Sequence, residues 1–143
     1  MGSPSSTRFL IVLLLLLTTT LCACGENEKV PTYPVHGQVT FKGVPVTRGS
    51  VIFSSLDPHS TTALGTLDKE GRYSLTTLES EEGAPAGEYV VAVLSVEPPA
   101  SNSEISTTPP KPLVPAKYLS LETSPLRESI RKGSPNEINI ELQ

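Results

Sequence analysis

Val35-His36-Gly37-Gln38-Val39-Thr40-Phe41-Lys42 is the stretch that decides the fold class. Val35, Gly37, Val39 and Phe41 alternate with His36, Gln38, Thr40 and Lys42, the period-two pattern of a strand with one face buried and the other wet. Gly43-Val44-Pro45-Val46 breaks the run, and Ser50-Val51-Ile52-Phe53-Ser54 supplies a second strand. A third is expected over residues 62–67. Asp68-Lys69-Glu70-Gly71 then places Asp at the first position of a turn and Gly where a positive φ is wanted. A tight hairpin is therefore predicted, with Arg72-Tyr73-Ser74-Leu75-Thr76-Thr77 resuming the alternation.

Further on, residues 79–87 form a loop rich in Gly, Pro and Glu. Glu88-Tyr89-Val90-Val91-Ala92-Val93-Leu94-Ser95-Val96 is apolar on both faces, as befits a strand in the middle of a sandwich. Residues 97–115 turn to Pro, Ser and Thr, with Pro98-Pro99, Pro109-Pro110 and Pro112. That composition is unsuited to sheet pairing and predicts an exposed excursion of functional or disordered character. Lys117-Tyr118 re-enters the fold, 126–131 is expected as a short edge strand, and Asn136-Glu137-Ile138-Asn139-Ile140-Glu141-Leu142 alternates as the last strand. About seven strands and no amphipathic helix predict an all-β antiparallel β-sandwich over residues 35–143.

Upstream, Gly25-Glu26-Asn27-Glu28-Lys29-Val30-Pro31-Thr32-Tyr33-Pro34 reads with Cys24 as a polar tether, residues 24–34, with a flexible-chain span of about 17 Å. Before it, Arg8 precedes the apolar run of residues 9–17, which passes through Thr18-Thr19-Thr20 into Leu21-Cys22-Ala23-Cys24. This is the layout of a signal peptide over residues 1–23. The run turns to threonine well short of the roughly 20 apolar residues a membrane span needs. Leu21-Cys22-Ala23-Cys24 resembles the bacterial lipobox, in which the cysteine is acylated, with chains such as palmitate, and becomes the new N-terminus. Met1-Gly2-Ser3-Pro4-Ser5-Ser6 also satisfies the myristoylation pattern, but a leucine run directly after it is what a translocon recognises. Cys24 is thus the expected lipidation site and the membrane the expected partner, with the domain on the extracytoplasmic side of the cell envelope, at the inner or outer membrane.

Cleavage after Ala23 leaves 120 residues with Cys24 as the sole cysteine, so packing and not a disulfide must hold the domain together. A net charge of −4 gives no basic face for nucleic acid, which is excluded as a partner.

The run 35–46, followed by Gly49 and Val51-Ile52-Phe53, resembles the opening of the carboxypeptidase-regulatory-like, transthyretin-like β-sandwich domains. Asp68, Gly71, Tyr73 and Leu75, then Gly87, Tyr89, Val91 and Val93, are similar to that family's D-x-x-G-x-Y-x-L hairpin and G-x-Y-x-V-x-V strand. Leu113-Val114-Pro115-Ala116-Lys117-Tyr118 and Ile138-Asn139-Ile140 resemble the tail of short bacterial lipoproteins built from this one domain. The resemblance spans most of residues 35–142. It implies a seven-stranded sandwich serving as an accessory or binding module, and transfers no catalytic residue, because its motifs encode turns and a core.

Chemistry-bearing patterns are sparse. No G-x-S-x-G, P-loop or zinc-ligand pair occurs, and His36 and His59 are expected as surface residues, His36 on an outward strand position and His59 in a turn beside Pro58. Asp68 and Glu70 miss calcium-loop spacing and read as turn chemistry. Glu79, Glu81 and Glu82 would meet Asp57 only if their loops converge, and otherwise form a solvated face. Tyr73 and Tyr89 are expected in the core, leaving Tyr33 and Tyr118 as aromatic candidates for carbohydrate. Pro109-Pro110-Lys111-Pro112 contains P-x-x-P, which in an extracytoplasmic domain is a plain surface loop. The expectation is a non-enzymatic, cofactor-free envelope lipoprotein, a structural or protein-binding accessory module. The alternative is a module for a small ligand, carbohydrate or metal. The protein-binding reading predicts an exposed sheet edge free of blocking charges, and the ligand reading a concave pocket with converging polar groups.

Overall fold

A computed structural model describes residues 30–77, 82–98, 110–133 and 135–143. The expected signal peptide, Cys24 and most of the tether lie outside these residues, as do Glu79, Glu81 and the middle of the Pro/Ser/Thr-rich segment. No helix among the described residues is long and apolar enough to cross a membrane.

In chain order the strands are β1 (Thr32–Tyr33), β2 (Val35–Phe41), β3 (Val44–Pro45), β4 (Ser50–Ser55), β5 (Ala63–Thr66), β6 (Arg72–Ser74), β7 (Thr76–Thr77), β8 (Ala84–Pro85), β9 (Gly87–Leu94), β10 (Arg127–Ile130), β11 (Asn136–Glu137) and β12 (Ile140–Leu142). A short 3₁₀ turn spans Ala116–Tyr118. The first sheet runs β10-β9-β4-β5-β7; in the second, β2 is flanked by β3 and β6 on one side and by β11 and β12 on the other; β1 and β8 make a small separate ladder. The protein is all-β, and every expected strand is present.

The alternation anticipated in β2 is observed at its start and centre, where Val35 and Val39 are buried and His36 is exposed, while Thr40 and Phe41 at its end are both half-buried. β4 buries Val51 and Phe53, and β6 buries Tyr73 between exposed Arg72 and Ser74. These side chains, with Tyr89, Val91 and Val93 of β9 and Ile140 and Leu142 of β12, form one shared core between the sheets. Tyr118 belongs to it as well, so the expected re-entry at Lys117-Tyr118 is a core anchor. β9 lies inside its sheet, between β4 and β10, as its apolar character required. Its outer face is covered only in part: Ala92 is buried, while Leu94 is 40% exposed.

Three features depart from the expected antiparallel plan. The turn at 68–71 forms, with the Gly71 N–H donating to the Asp68 carbonyl at 3.0 Å and Gly71 at φ 72°. Its arms, however, separate: β6 pairs with β2 in the second sheet, and after Leu75 the chain returns to the first sheet, where β7 pairs with β5. Gly65 permits this crossing, since a Cβ there would stand 3.1 Å from the Tyr73 ring and 3.0 Å from the Ser74 carbonyl. Second, β11 and β12 pair parallel to β2. The chain leaves β10 at Ile130, which sits opposite Gly87, and re-enters beside Val35, so it can only run in the direction of β2. Third, Lys42 and Gly43, both at positive φ (51° and 79°), fold Val44–Pro45 back onto β2 where a simple break was expected.

Candidate functional site

β2 is paired along both edges, and register places outward side chains in rows across three strands. Ser74 lies opposite His36 on one side and Glu137 on the other, and Arg72 lies opposite Gln38. Asn139 sits in the gap between β11 and β12, where its Oδ1 accepts from the Gln38 N–H at 2.9 Å. A groove of about 710 Å³ lies over these rows, with Thr66 and Asp68 at its margin.

The floor of the groove is fixed. Gln38 Nε2 donates to the Glu70 carbonyl at 2.7 Å, and Asn139 Nδ2 donates to Glu137 Oε1 at 3.2 Å. The side chains of His36, Arg72 and Ser74 are exposed and make no hydrogen bond or ion pair among the described residues. Ser74, His36 and Glu137 have the residue types of a hydrolytic relay, but no hydrogen bond links them, and the strand N–H groups around them pair within the ladder. The geometry supplies donors and acceptors and a cation, not an assembled nucleophile. Sequence reasoning placed His36 on this face but singled out neither Ser74 nor Glu137; the alternation that made both outward was the available signal.

The other sequence candidates resolve as follows. Asp68 Oδ1 accepts from the N–H groups of Glu70 (2.9 Å) and Arg72 (2.8 Å), so its carboxylate serves the turn, as expected. Asp57 Oδ1 likewise accepts from the His59 N–H at 2.9 Å, and His59 is exposed. Among the described residues no three His, Cys, Asp or Glu side chains come together. Tyr33 is half-buried. Tyr118 is 4% exposed, with its hydroxyl at 3.3 Å from the Gln143 main-chain oxygen, so it cannot offer a ring face to a sugar. The expected excursion of residues 97–115 has paired ends, contrary to its composition: Val96 bridges Pro112, and the Glu97 N–H donates to the Lys111 carbonyl at 2.9 Å. Proline at 112 is tolerated because the two bonds of this neck use the N–H groups of Glu97 and Leu113 instead. The exposed Lys111–Glu97 ion pair at 3.3 Å adds at most about 1 kcal/mol. Pro109, the start of P-x-x-P, lies outside the described residues.

Tyr73 and Tyr89 occupy the core as expected, their hydroxyls donating to the carbonyls of Ile138 and Pro85, each at 2.8 Å. Burial raises the pKa of both; the charge of Glu128 raises Tyr73 further, and a contact with Ser60 partly offsets the shift at Tyr89. Unfolded tyrosine ionises near pH ~10. Above that pH the folded chain retains protons the unfolded chain has lost, so stability is complete below about pH 10 and declines as pH rises from there. Urea midpoints measured between pH 8 and pH 11 should fall over the upper half of that range, and Tyr73→Phe should flatten the fall.

No family model matches the chain. No curated protein matches it either. Among solved structures, a DUF3823 family protein from Parabacteroides merdae is similar, with 14% identity and a TM-score of 0.44 over 80% of this chain. The chain spans about half, 47%, of that protein's length.

Proposed function

We propose that the protein is a non-enzymatic envelope lipoprotein, held at the membrane by acyl chains on Cys24, that acts as an accessory module and engages a polar partner across the outer face of β2. One observation carries the binding part: outward His36, Arg72 and Ser74, uncommitted among the described residues, converge over a groove whose floor is fixed by Gln38 and Asn139. A pre-set floor with free donors above it is how a recognition surface avoids ordering costs on binding. The free edge at β10 is less suited to strand addition, because Arg127 is exposed there and Glu128 points inward, both features that deter edge pairing. The lipidation part rests on the leader and on Leu21-Cys22-Ala23-Cys24.

The test is expression in a bacterium with a photo-crosslinking amino acid at Ser74, in chains with Cys24 and with Cys24→Ser, and with a control crosslinker at Thr47. The expected result is a chain cut after Ala23 with added acyl mass, retained by membranes, and one discrete adduct from Ser74 but none from Thr47. Cys24→Ser should lose acyl mass, membrane retention and adduct together. Cleavage without lipid would sink the anchoring, and identical adducts from both positions would sink the groove.

A further inference from the structure

The flank of the sandwich, where β10 of one sheet faces β11 of the other, contains a second cleft of about 590 Å³ bounded by Glu128, Arg131, Lys132 and Glu137, with Ile138 and Asn139 against its wall. β10 alternates exposed Arg127 and Ser129 with half-buried Glu128 and buried Ile130, so Glu128 turns toward the inter-sheet side. Its carboxylate makes no hydrogen bond or ion pair among the described residues. The neighbouring cation is committed elsewhere: Arg127 Nη1 donates to the carbonyls of Ser124 (2.9 Å) and Leu126 (2.8 Å). Glu128 lines the cleft together with Ile138, whose carbonyl accepts the Tyr73 hydroxyl, and the charge of Glu128 raises the pKa of that phenol. Burial also raises the pKa of Glu128 itself.

A half-buried carboxylate without a partner is unfavourable, and the strand does not require one, since a β-branched residue would pack there at no such penalty. Arg131 and Lys132, both exposed, meanwhile place positive charge at the mouth of the same cleft. We propose that the cleft binds a short zwitterion, a free amino acid or a dipeptide, with its ammonium group on Glu128 and its carboxylate on Arg131 and Lys132. Glu137, which lines both this cleft and the groove over β2, keeps acceptor capacity beyond its bond from Asn139 Nδ2 and offers the ammonium a second acceptor. The cleft has ample room for a ligand of this size and is too small for a folded partner. The site goes beyond the groove over β2, and its chemistry does not depend on that reading. The competing role for Glu128 is an inward charge that keeps edge strands from pairing between molecules.

The experiment is an amide NMR titration of the full-length, isotope-labelled protein with glycine and with glycylglycine, beside N-acetylglycylglycine, which lacks the ammonium, and glycylglycinamide, which lacks the carboxylate. Saturable shifts confined to residues 128–139, with a Kd of about 1 mM or tighter for a zwitterion, are expected. Removing either charge, by analogue or by Glu128→Gln, should weaken binding at least about tenfold through loss of a charge-assisted hydrogen bond. The tighter of the two zwitterions fixes the ligand length. Absence of saturation up to about ten times that Kd, or equal binding of the acetylated and free peptides, overturns the site. Unchanged binding in Glu128→Gln together with faster aggregation would assign the carboxylate to edge protection alone. The analogue series runs on the wild-type chain, so the outcome stands even if the variant folds poorly.

Discussion

Phe53→Ala is expected to destabilise the domain by about 3 to 5 kcal/mol, the range for removing a buried aromatic ring. Phe53 is fully buried in β4, and its ring lies 6.1 Å from Tyr73 and 6.0 Å from Tyr89, tilted by 41° and 57°. Tyr73 comes from the second sheet and Tyr89 from the first, so this ring is one of the contacts that join the two layers. Its loss leaves a cavity bordered by Val51, Val91 and the two tyrosines, side chains whose backbones are fixed in ladders and cannot collapse inward. Small domains are stable by roughly 5–15 kcal/mol, so the variant loses between about a fifth and all of that margin. Urea unfolding followed by tyrosine fluorescence should show a lowered midpoint and an unchanged slope. A loss under about 1 kcal/mol would mean that Phe53 does not sit between the layers.

Gly37→Ala is expected to be as damaging, for a different reason. Gly37 lies mid-strand in β2 with no unusual backbone angle, yet a Cβ there would be 1.8 Å from the Ile138 carbonyl oxygen and 3.2 Å from the Tyr73 ring. Ile138 is held on both sides: its N–H donates to the His36 carbonyl at 2.9 Å and its carbonyl accepts the Tyr73 hydroxyl at 2.8 Å. A methyl group must therefore push the 136–142 segment off β2 and strand a buried hydroxyl, with a loss of about 3 kcal/mol or more. Gly43→Ala is the control. That glycine has a positive φ of 79° but open space around its Cβ direction, so only backbone strain of about 1 kcal/mol is expected. Thermal melts of the two variants should differ by well over the shift that Gly43→Ala gives alone.

The alternation in residues 35–41, 50–54 and 72–77 was sufficient to place the strands and their buried faces, because side chains on a pleated ribbon answer to burial every second residue. Pairing partners were less legible. Nothing local to Arg72-Tyr73-Ser74 says that it leaves β5 for β2; that choice depends on Gly65, which lets Tyr73 lie against it, and on Ile138, which receives the phenol. The parallel insertion of 136–142 follows from where the chain leaves β10, a fact of topology and not of periodicity. The groove was illegible for the same reason. His36, Ser74 and Glu137 are far apart in sequence, and only the register of β6 and β11 against β2 aligns them. Glu128 looked like an ordinary residue of an edge strand, since its inward turn depends on which face of that strand meets the core. Tyr118 was misjudged because an isolated aromatic between loops carries no pattern from which burial can be read.

The strand order also gives the domain two poles. The chain enters through Thr32–Tyr33 at the pole shared by Val35, Ser55, Gly87 and Ile130, whereas Phe41, Gly49, Leu94 and the paired neck at Val96 and Pro112 mark the opposite pole. The distance between them is about 20 Å, the length of a seven-residue strand. Under the proposed lipidation of Cys24, the entry pole is the end nearer the anchor along the chain, and the neck at Val96 and Pro112 is the end farther from it. The groove over β2 lies along the strand that joins the two poles, so it belongs to the side of the sandwich and to neither end.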